Sequence, residues 1–357
     1  MYCGLDSAPC APAGDQGPFP TGSGGTGARG REAAGEAGGH APVLLAETVG
    51  VLKENRVAGA PHYLDCTFGG GGHTRALLES DPQARVTALD RDPAAGKRAE
   101  KLGASFGGRL KFYDLPFSRI DELTEAGYAG ALFDLGVSSF QLDEPERGFS
   151  FRQAARADMR LDPRAGMPAA EFLESASREQ LVAAVRDAGE EPKWRRVVEA
   201  IVQARGTGKL ERTDTLAEVV AGAVGNPPGR PSRTHPATRT FQGLRIVLND
   251  ELKELETALP RAVAKLAPGG VLAVISFHSL EDRMVKRFCN RLAGRAEHEN
   301  DATPAQFREA RAELLTRRPV TAAEAELARN PRSRSAKLRA ARLLGGPNKL
   351  STPHSRP

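Results

Sequence analysis

The stretch Tyr63-Leu64-Asp65-Cys66-Thr67-Phe68-Gly69-Gly70-Gly71-Gly72-His73-Thr74 contains a short apolar strand followed by a glycine loop. A second strand, Val86-Thr87-Ala88-Leu89-Asp90, ends in an acid. Strand, glycine loop, helix and acid-tipped strand in this order are typical of a Rossmann-type nucleotide-binding unit. Glycine has no Cβ, so its backbone can lie close to a ligand, and the Asp90 carboxylate can accept hydrogen bonds from a ribose diol. The stretch therefore predicts an adenosine-bearing cofactor.

The spacing of the glycines narrows the choice of cofactor. A dinucleotide fingerprint, G-x-G-x-x-G, needs a third glycine, but that position is Thr74 when read from Gly69 and Arg75 when read from Gly70. The G-x-x-x-x-G-K-[ST] loop that cradles a triphosphate is also missing. A cofactor with ribose and adenine but no pyrophosphate fits, and S-adenosylmethionine is the commonest such molecule. The alternative is a plain turn between strand and helix with no ligand. The acids at two strand ends, Asp65 and Asp90, make this alternative less favourable.

Length and composition bound the class of protein. The 357 residues suffice for one large domain, or for one domain that carries an insertion. No stretch resembles a membrane span or a secretory leader. The four cysteines show neither C-x-x-C pairing nor a partnered histidine spacing, so the sequence predicts no metal site and a reduced, cytoplasmic protein.

Positive charge is concentrated in two segments. Residues 329–357 contain eight Lys or Arg and no acid, and the net charge of +5 less this +8 leaves −3 for the rest of the chain. Residues 226–245 also lack acids and contain Arg230, Arg233, Arg239 and Arg245. Two basic segments on a mildly acidic body favour contact with a polyanion. A solvated tail is the alternative, and we favour it for the last ten residues.

The pattern of apolar runs divides the chain into regions. Strands are expected at 62–67, 86–90, 110–113, 130–135 and 271–277. Helices are expected from about residue 73 and over 94–103, between the first three strands, and this alternation predicts a parallel α/β sheet. One long helix is expected through Phe241 and Leu255, with a kink or restart at Pro260 and an end at Pro268-Gly269-Gly270. The predicted regions are a disordered extension (1–39), an α/β domain (40–142 and 236–342), an all-helical insertion (143–235) and a flexible basic tail (343–357).

Asp134 is the strongest candidate for chemistry, because it ends the fourth predicted strand. Ligands of doubly wound sheets bind outside the carboxyl ends of the strands. Enzymes that methylate exocyclic amines commonly place Asp or Asn there, where its oxygen accepts hydrogen bonds from the amine and aims the lone pair at the methyl carbon. The alternative is an Asp that caps the next turn.

Two histidine-containing segments offer weaker candidates. His278 follows the fifth predicted strand and could bind phosphate or relay a proton, although a lone histidine is more often structural. Ser279 and Asp282 are expected to cap the helix that follows. Residues 235–242 combine a histidine, two threonines and an arginine before a helix start, which suits phosphate binding.

Many ordered motifs together resemble one family, the bacterial small-subunit ribosomal RNA cytosine-N4 methyltransferases (ribosomal RNA small subunit methyltransferase H), over residues 40–342. The resemblance implies a Rossmann-like class I S-adenosylmethionine-dependent methyltransferase fold with an all-helical insertion. It also implies methylation of N4 of one cytidine in the decoding region of 16S ribosomal RNA within the small ribosomal subunit. The motifs that carry it are 40–45, 67–73, 90–93, 116–118, 134–139, 146–151, 158–160, 235–242, 276–283 and 330–335.

The resemblance also assigns roles to residues. Asp134 is the expected amine acceptor, with Ser138 and His278 as helpers. Two positions depart from the family pattern: Gly70 replaces a residue that is often basic, and Cys66 replaces one that is usually small. The cofactor residues implied are Gly71, Gly72 and His73 in the loop, Asp90 on the ribose, Phe117 beside the adenine, and Asp134 and Gln141 near the methionine end.

Direct in-line transfer from sulfonium to amine is the expected reaction, with no metal and no covalent intermediate. The insertion and the basic tail are expected to hold RNA around an unstacked base. The protein is expected to be a monomer or a homodimer. A small-molecule or protein methyltransferase of the same fold remains an alternative, as does an RNA-binding protein with a vestigial cofactor pocket.

Overall fold

A mixed seven-stranded sheet organises the fold, and the computed structural model describes residues 41–54, 59, 61–225 and 235–345. Neighbouring strands follow the order β3-β2-β1-β4-β5-β7-β6, in which β1 to β5 are parallel and β7 runs antiparallel to β5 and β6. This arrangement confirms the predicted Rossmann-like fold class. The strands are β1 (His62–Asp65), β2 (Arg85–Asp90), β3 (Leu110–Asp114), β4 (Tyr128–Asp134), β5 (Leu266–Ser276), β6 (Ala312–Leu314) and β7 (Lys337–Leu343).

Helices cover both faces of this sheet, which explains why its central strands are apolar without alternation. β4 is buried from Tyr128 to Phe133, and β5 is buried from Val271 to Ser276. Each fully buried leucine or phenylalanine stabilises the fold by about 1.5–3 kcal/mol. The helices are α1 (Leu45–Glu54), α2 (Gly72–Ser80), α3 (Pro93–Ala104), α4 (Ser139–Asp143), α5 (Ala169–Ser175), α6 (Arg178–Val182), α7 (Trp194–Ala204), α8 (Thr213–Val224), α9 (Thr238–Leu248), α10 (Glu251–Lys265), α11 (Ser279–Leu292) and α12 (Glu324–Arg329).

Helices α5 to α8 lie between β4 and β5 and share a hydrophobic core with α9 that is separate from the two cores of the sheet. A capping box starts α6, where the Ser177 hydroxyl accepts from the backbone of Gln180 and the Gln180 side chain accepts from the backbone of Ser177. A π-helical turn, Ala183–Ala188, continues α6 and packs on α9. The segment therefore folds around its own apolar residues, and its boundaries at 143 and 235 stay a prediction.

The long helix expected from Phe241 to Leu255 is wrong: the structure has two helices that break at Asn249 and Asp250. Asp250 has φ 50°, a left-handed conformation that ends a helix. The Asn249 side chain stabilises the break, because its amide donates to the Met159 carbonyl at 2.8 Å and its oxygen accepts from the Leu161 backbone at 2.7 Å. α10 then continues through Pro260 without ending.

The expectation that the basic C-terminal segment is available for RNA is wrong for part of that segment, because β7 lies inside the sheet. Lys337 and Arg339 both donate to Asp282 on α11, at 3.0 and 2.7 Å. Arg245, from the other basic segment, is buried against Glu251. The cations with internal partners are therefore structural. Residues 1–39 and most of the predicted tail lie outside the described residues, and within the described part no helix has the length and apolarity of a membrane span.

Candidate functional site

Three acids end neighbouring parallel strands at one edge of the sheet: Asp65 on β1, Asp90 on β2 and Asp134 on β4. Asp65 pairs in register with Ala88 of β2 and with Leu132 of β4. The glycine loop leaves β1 at the same edge. The carboxyl edge predicted as the ligand site therefore carries three carboxylates around one glycine loop.

Two glycines of the loop, Gly71 and Gly72, lie too close to neighbouring side chains to carry a Cβ. A Cβ on Gly71 would lie 2.6 Å from the Phe68 ring, and one on Gly72 would lie 2.2 Å from Pro42. Gly71 also has φ 76°, a conformation that disfavours other residues. The prediction attributed these glycines to the approach of a ligand, whereas the structure shows that packing of Phe68 and Pro42 already requires them.

Gly71→Ala is expected to lower the free energy of unfolding by about 2–4 kcal/mol, because a methyl group there both strains the backbone and overlaps the Phe68 ring. Gly108→Ala is the matched control, since Gly108 has φ 80° and nothing within 4 Å of the Cβ position. It should cost about 1 kcal/mol from backbone strain alone. Urea unfolding of both variants measures the difference, and equal losses would contradict the role of the ring contact.

Asp65 is a structural anchor of the loop. Its Oδ2 accepts from the Thr74 hydroxyl at 2.6 Å, and its Oδ1 accepts from the Thr67 backbone at 3.1 Å. The side chain is buried, and this burial raises the pKa of Asp65 to about 6. Each oxygen has a partner within the strand-to-helix connection, and the residue is only 1% exposed, so Asp65 serves the loop rather than a reactant.

Asp90, the predicted ribose residue, holds the loop as well. Its Oδ2 accepts from the Gly69 backbone at 2.7 Å, and its Oδ1 accepts from the Asp92 backbone at 2.8 Å. Burial raises the pKa of Asp90 above its usual value. A carboxylate has about four acceptor sites, so two remain for the ribose diol that the prediction requires.

Asp92 links the loop region to the segment after α4, and the sequence analysis assigned it no role. It is almost fully buried and caps α3 by accepting from the Ala94 backbone. Its carboxylate also accepts from Gln141 Nε2 at 3.0 Å and from Arg147 Nη1 at 3.0 Å. The Asp92-Pro93 pair, a helix-start signal, could have revealed the cap but not these partners.

Gln141 and Ser138 stabilise the start of α4. The Ser138 hydroxyl accepts from the Gln141 backbone at 3.2 Å, while Gln141 Oε1 accepts from the Ser138 backbone at 2.9 Å. Gln141 was predicted to contact the cofactor and Ser138 to assist catalysis. The structure places Ser138 next to the glycine loop, where its Cβ is 3.5 Å from the Cβ position of Gly69, but the Ser138 hydroxyl and Gln141 Oε1 take part in a capping box.

Asp134 differs from the other two strand-end acids because one of its oxygens is free. Its Oδ1 is shielded from solvent and has no hydrogen-bond partner, and its Oδ2 lies 3.5 Å from His73 Nδ1. The Asp134 backbone donates to the Thr67 hydroxyl at 2.6 Å, which fixes the strand end against the glycine loop. Burial, followed by the charges of Asp65 and Glu281, raises the pKa of Asp134 to about 8. A buried acceptor without a donor is costly and marks this group for a ligand.

His73 lies at the start of α2 between Asp134 and the N-terminal segment. Its ring is buried, and its Nε2 contacts the Val43 carbonyl at 3.2 Å. Burial lowers the pKa of His73 to about 4, so the ring is neutral at pH 7. The residue that the prediction assigned to cofactor binding is thus placed directly beside the candidate amine acceptor.

The expected cap formed by Ser279 and Asp282 is wrong, because His278 is the capping residue of α11. His278 Nδ1 accepts from the Glu281 backbone at 3.4 Å, and the Glu281 carboxylate accepts from the Phe277 backbone at 2.8 Å. The Ser279 hydroxyl contacts Glu190 instead, and the His278 side chain is only 5% exposed. The structure therefore gives His278 a structural position rather than that of a free proton relay.

Acids around His278 have the spacing of a metal site, with ligand atoms of Glu251, His278 and Glu281 within 4.8 Å of one another. Arg245 occupies this cluster, because its Nε and Nη2 donate to the two oxygens of Glu251 at 2.7 and 2.9 Å. Burial alone would raise the pKa of Glu281, but His278 and Arg245 stabilise its charged form, so its pKa is lowered. The cluster is thus an internal charge network.

Phe117, predicted beside the adenine, lies after β3 and is half-buried. Its ring packs edge-on against Phe133 of β4 at a centroid distance of 5.6 Å. An adenosine cofactor fits the described residues: this apolar ring, the spare acceptor sites of Asp90 and the unpartnered Asp134 oxygen all lie at strand ends. A cationic group near Asp134 would stabilise its unpartnered oxygen.

Comparison with known sequences identifies the family. The sequence profile of the MraW methylase family matches residues 37–344. The chain belongs to this family. Relatives in the MraW methylase family include the ribosomal RNA small subunit methyltransferases H of Methylobacterium sp. (strain 4-46), 46% identical over 86% of this chain and 92% of that protein, and of Rhizorhabdus wittichii, 48% identical over 85% and 92%.

Membership of the MraW methylase family confirms the predicted methyltransferase class and, with it, S-adenosylmethionine as the methyl donor. A solved structure, a putative rRNA-methylase from Clostridium thermocellum, aligns with 85% of this chain and 98% of its own at 10% identity and a TM-score of 0.41. That likeness is too low to support any statement about this chain.

Proposed function

We propose that this MraW-family methylase methylates N4 of a cytidine in the decoding region of 16S ribosomal RNA within the small ribosomal subunit. The names of its relatives, ribosomal RNA small subunit methyltransferase H, support the RNA substrate. The single observation that carries the chemistry is the buried, unpartnered Oδ1 of Asp134 at the end of β4. An amine N–H is the donor that this oxygen lacks.

Asp134 carries the mechanism we propose. Bound S-adenosylmethionine supplies an electrophilic methyl group. Asp134 accepts a hydrogen bond from the exocyclic amine and turns the nitrogen lone pair toward that group. As the new N–C bond forms and the S–C bond breaks, the nitrogen loses a proton to the Asp134 carboxylate. The cofactor roles of Gly71, Gly72, His73, Asp90, Phe117 and Gln141 stay predictions, and so do the helper roles of Ser138 and His278.

The target base must also be able to reach Asp134. A cytidine must leave its stack to reach the strand ends, as in other enzymes that modify bases. We propose that the helical segment between β4 and β5 contacts the flanking RNA, because it follows Asp134 directly along the chain. A monomeric or dimeric state and a cytoplasmic location stay predictions.

The rate of methyl transfer is expected to rise with pH and then to level off. Asp134 must be ionised to take the proton, and burial raises its pKa to about 8, so at low pH the carboxyl is neutral and inactive. A cationic cofactor favours the ionised form, which places the midpoint of the rise below about 8. Single-turnover rates from pH 5.5 to 9.5 measure this, and a rate that falls through the same range would contradict the role of Asp134.

Transfer of a tritiated methyl group onto undermodified small ribosomal subunits tests the proposal. We expect N4-methylcytidine after digestion to nucleosides. Another methylated nucleoside would overturn the cytosine-N4 assignment. Transfer to a metabolite or a protein in the absence of subunits would favour the small-molecule or protein methyltransferase, and RNA binding without cofactor binding would favour the vestigial-pocket alternative.

A further inference from the structure

The hydrogen-bond geometry of His73 fixes which ring nitrogen carries its proton. Nε2 lies 3.2 Å from the Val43 carbonyl, which can only accept, so Nε2 must be the donor. In the neutral ring, Nδ1 then carries a lone pair. This lone pair faces Asp134 Oδ2 at 3.5 Å. If Asp134 were ionised, its Oδ2 and the Nδ1 lone pair would be two acceptors facing each other. If Asp134 is protonated, its hydroxyl can donate to Nδ1.

The charges around Asp134 favour the same protonated form. Asp65 on β1 and Glu281 on α11 face it as negative charges, and burial adds to their effect, which raises the pKa of Asp134 to about 8. Arg245 on α9 lies near this turn, with its Nη1 4.0 Å from the Cβ position of Gly136, but its Nε and Nη2 donate to Glu251. Among the described residues, no Lys or Arg forms an ion pair with Asp134.

We propose that Asp134 holds a proton in the cofactor-free protein, shares it with His73 Nδ1, and releases it when the sulfonium cofactor binds. This inference rests on the proposed function, in which the cofactor binds beside Asp134. Binding would then convert a neutral carboxyl and a cation into an ion pair and deliver one proton to solvent. Methyl transfer returns one proton, from the substrate nitrogen to Asp134, at the moment when the cofactor loses its sulfonium charge.

This cycle predicts that the protein distinguishes S-adenosylmethionine from S-adenosylhomocysteine by charge. The two ligands share adenosine and amino-acid groups and differ at the sulfur, which is cationic only in the methyl donor. The affinity for the donor should rise up to tenfold per pH unit from pH 6 to 8 and level off above, while the affinity for the thioether product stays nearly constant. The donor is then favoured before transfer, and the product is released after it.

Isothermal titration calorimetry of the full chain without RNA tests the inference. Each ligand is titrated at pH 7 in phosphate and in Tris, whose ionisation enthalpies differ, so that the buffer dependence of the heat counts the released protons. We expect release that approaches one proton for S-adenosylmethionine and close to none for S-adenosylhomocysteine. Equal release for both ligands, or none for the methyl donor, would overturn the inference while leaving the proposed function intact.

Three variants assign the proton to the pair. Asp134→Asn should abolish the release and make the affinity for S-adenosylmethionine independent of pH. In His73→Gln the side-chain amide can donate to the carboxylate, so the midpoint of the pH dependence should shift downward, a result that loss of a cofactor contact alone would not produce. His62→Gln removes a histidine at the opposite end of β1 and should change nothing. Release that persists in Asp134→Asn would overturn the inference, and failure of S-adenosylmethionine to bind the wild-type protein would overturn the proposed function as well.

Discussion

Asp134→Asn is expected to reduce the rate of methyl transfer by about 10²–10⁴-fold, the usual contribution of a positioned proton acceptor. The amide preserves the size of the side chain and can still accept a hydrogen bond, but it cannot take the proton that leaves the substrate nitrogen. Binding of S-adenosylhomocysteine should survive, since that ligand has no sulfonium charge for Asp134 to balance. Single-turnover transfer to small subunits, together with calorimetry of the thioether, measures both effects.

Asp114→Asn is the matched control for this variant. Asp114 also ends a parallel strand, β3, but it is 43% exposed and pairs with Arg164. Its replacement should leave the transfer rate within about twofold of wild type, because exposed ion pairs contribute little. Equal losses in the two variants would show that any strand-end acid matters, which would remove Asp134 from its assigned role.

Thermal melting of Asp134→Asn tests whether misfolding causes its loss of activity. The pKa of Asp134 is about 8 in the folded protein against an ordinary value of 3.8, so the unfolded chain ionises first and the fold loses stability as pH rises between these values. The asparagine variant escapes this loss. It should therefore melt at a higher temperature than wild type at pH 9 and at nearly the same temperature at pH 4.

The strand-end acids show what the sequence can predict about such a site. Asp65, Asp90 and Asp134 each follow an apolar run, and parallel strands bring their carboxyl ends to one edge whatever the details of the loops. Their different environments could not be predicted in the same way. The Thr74 hydroxyl and three backbone amides satisfy Asp65 and Asp90, whereas the free oxygen of Asp134 depends on which side chains the folded chain leaves nearby.

The C-terminal segment shows where local pattern fails. Residues 337–343 belong to the basic C-terminal segment, since three of the seven are Lys or Arg, yet they form β7 beside β5. Arg339 is buried only because Asp282, 57 positions earlier in the chain, lies across from it on α11. A pairing over such a separation leaves no periodic signal in the sequence. The same is true of Arg147 and Asp92, which are 55 positions apart.

Arg147→Met is expected to lower the free energy of unfolding by about 3–5 kcal/mol, because it removes the cation that hydrogen-bonds to the buried Asp92 carboxylate and leaves only Arg98, at 3.9 Å, near it. Arg147 is 12% exposed and Asp92 is 2% exposed. The guanidinium also donates through Nη2 to the carbonyls of Arg160 at 3.1 Å and Leu161 at 2.9 Å. Its loss would therefore loosen the start of α3, the Gln141 contact and the 160–161 turn together. Chemical denaturation monitored by circular dichroism measures the change.

Arg164→Met is the matched control. Arg164 forms ion pairs with Asp114 and Asp162 but is 51% exposed, so its loss should lower the free energy of unfolding by less than about 1 kcal/mol. The double variant Arg147→Met, Asp92→Asn separates the charge pair from the packing of the arginine stem. If the unpaired carboxylate causes the loss, the double variant should be more stable than the sum of the two single changes by about 2 kcal/mol. Strict additivity would instead assign the effect of Arg147 to its contacts with the two carbonyls. In that case Asp92 would hold Gln141 and α3 in place without help from the cation, and Arg147 would stabilise the protein through the 160–161 turn.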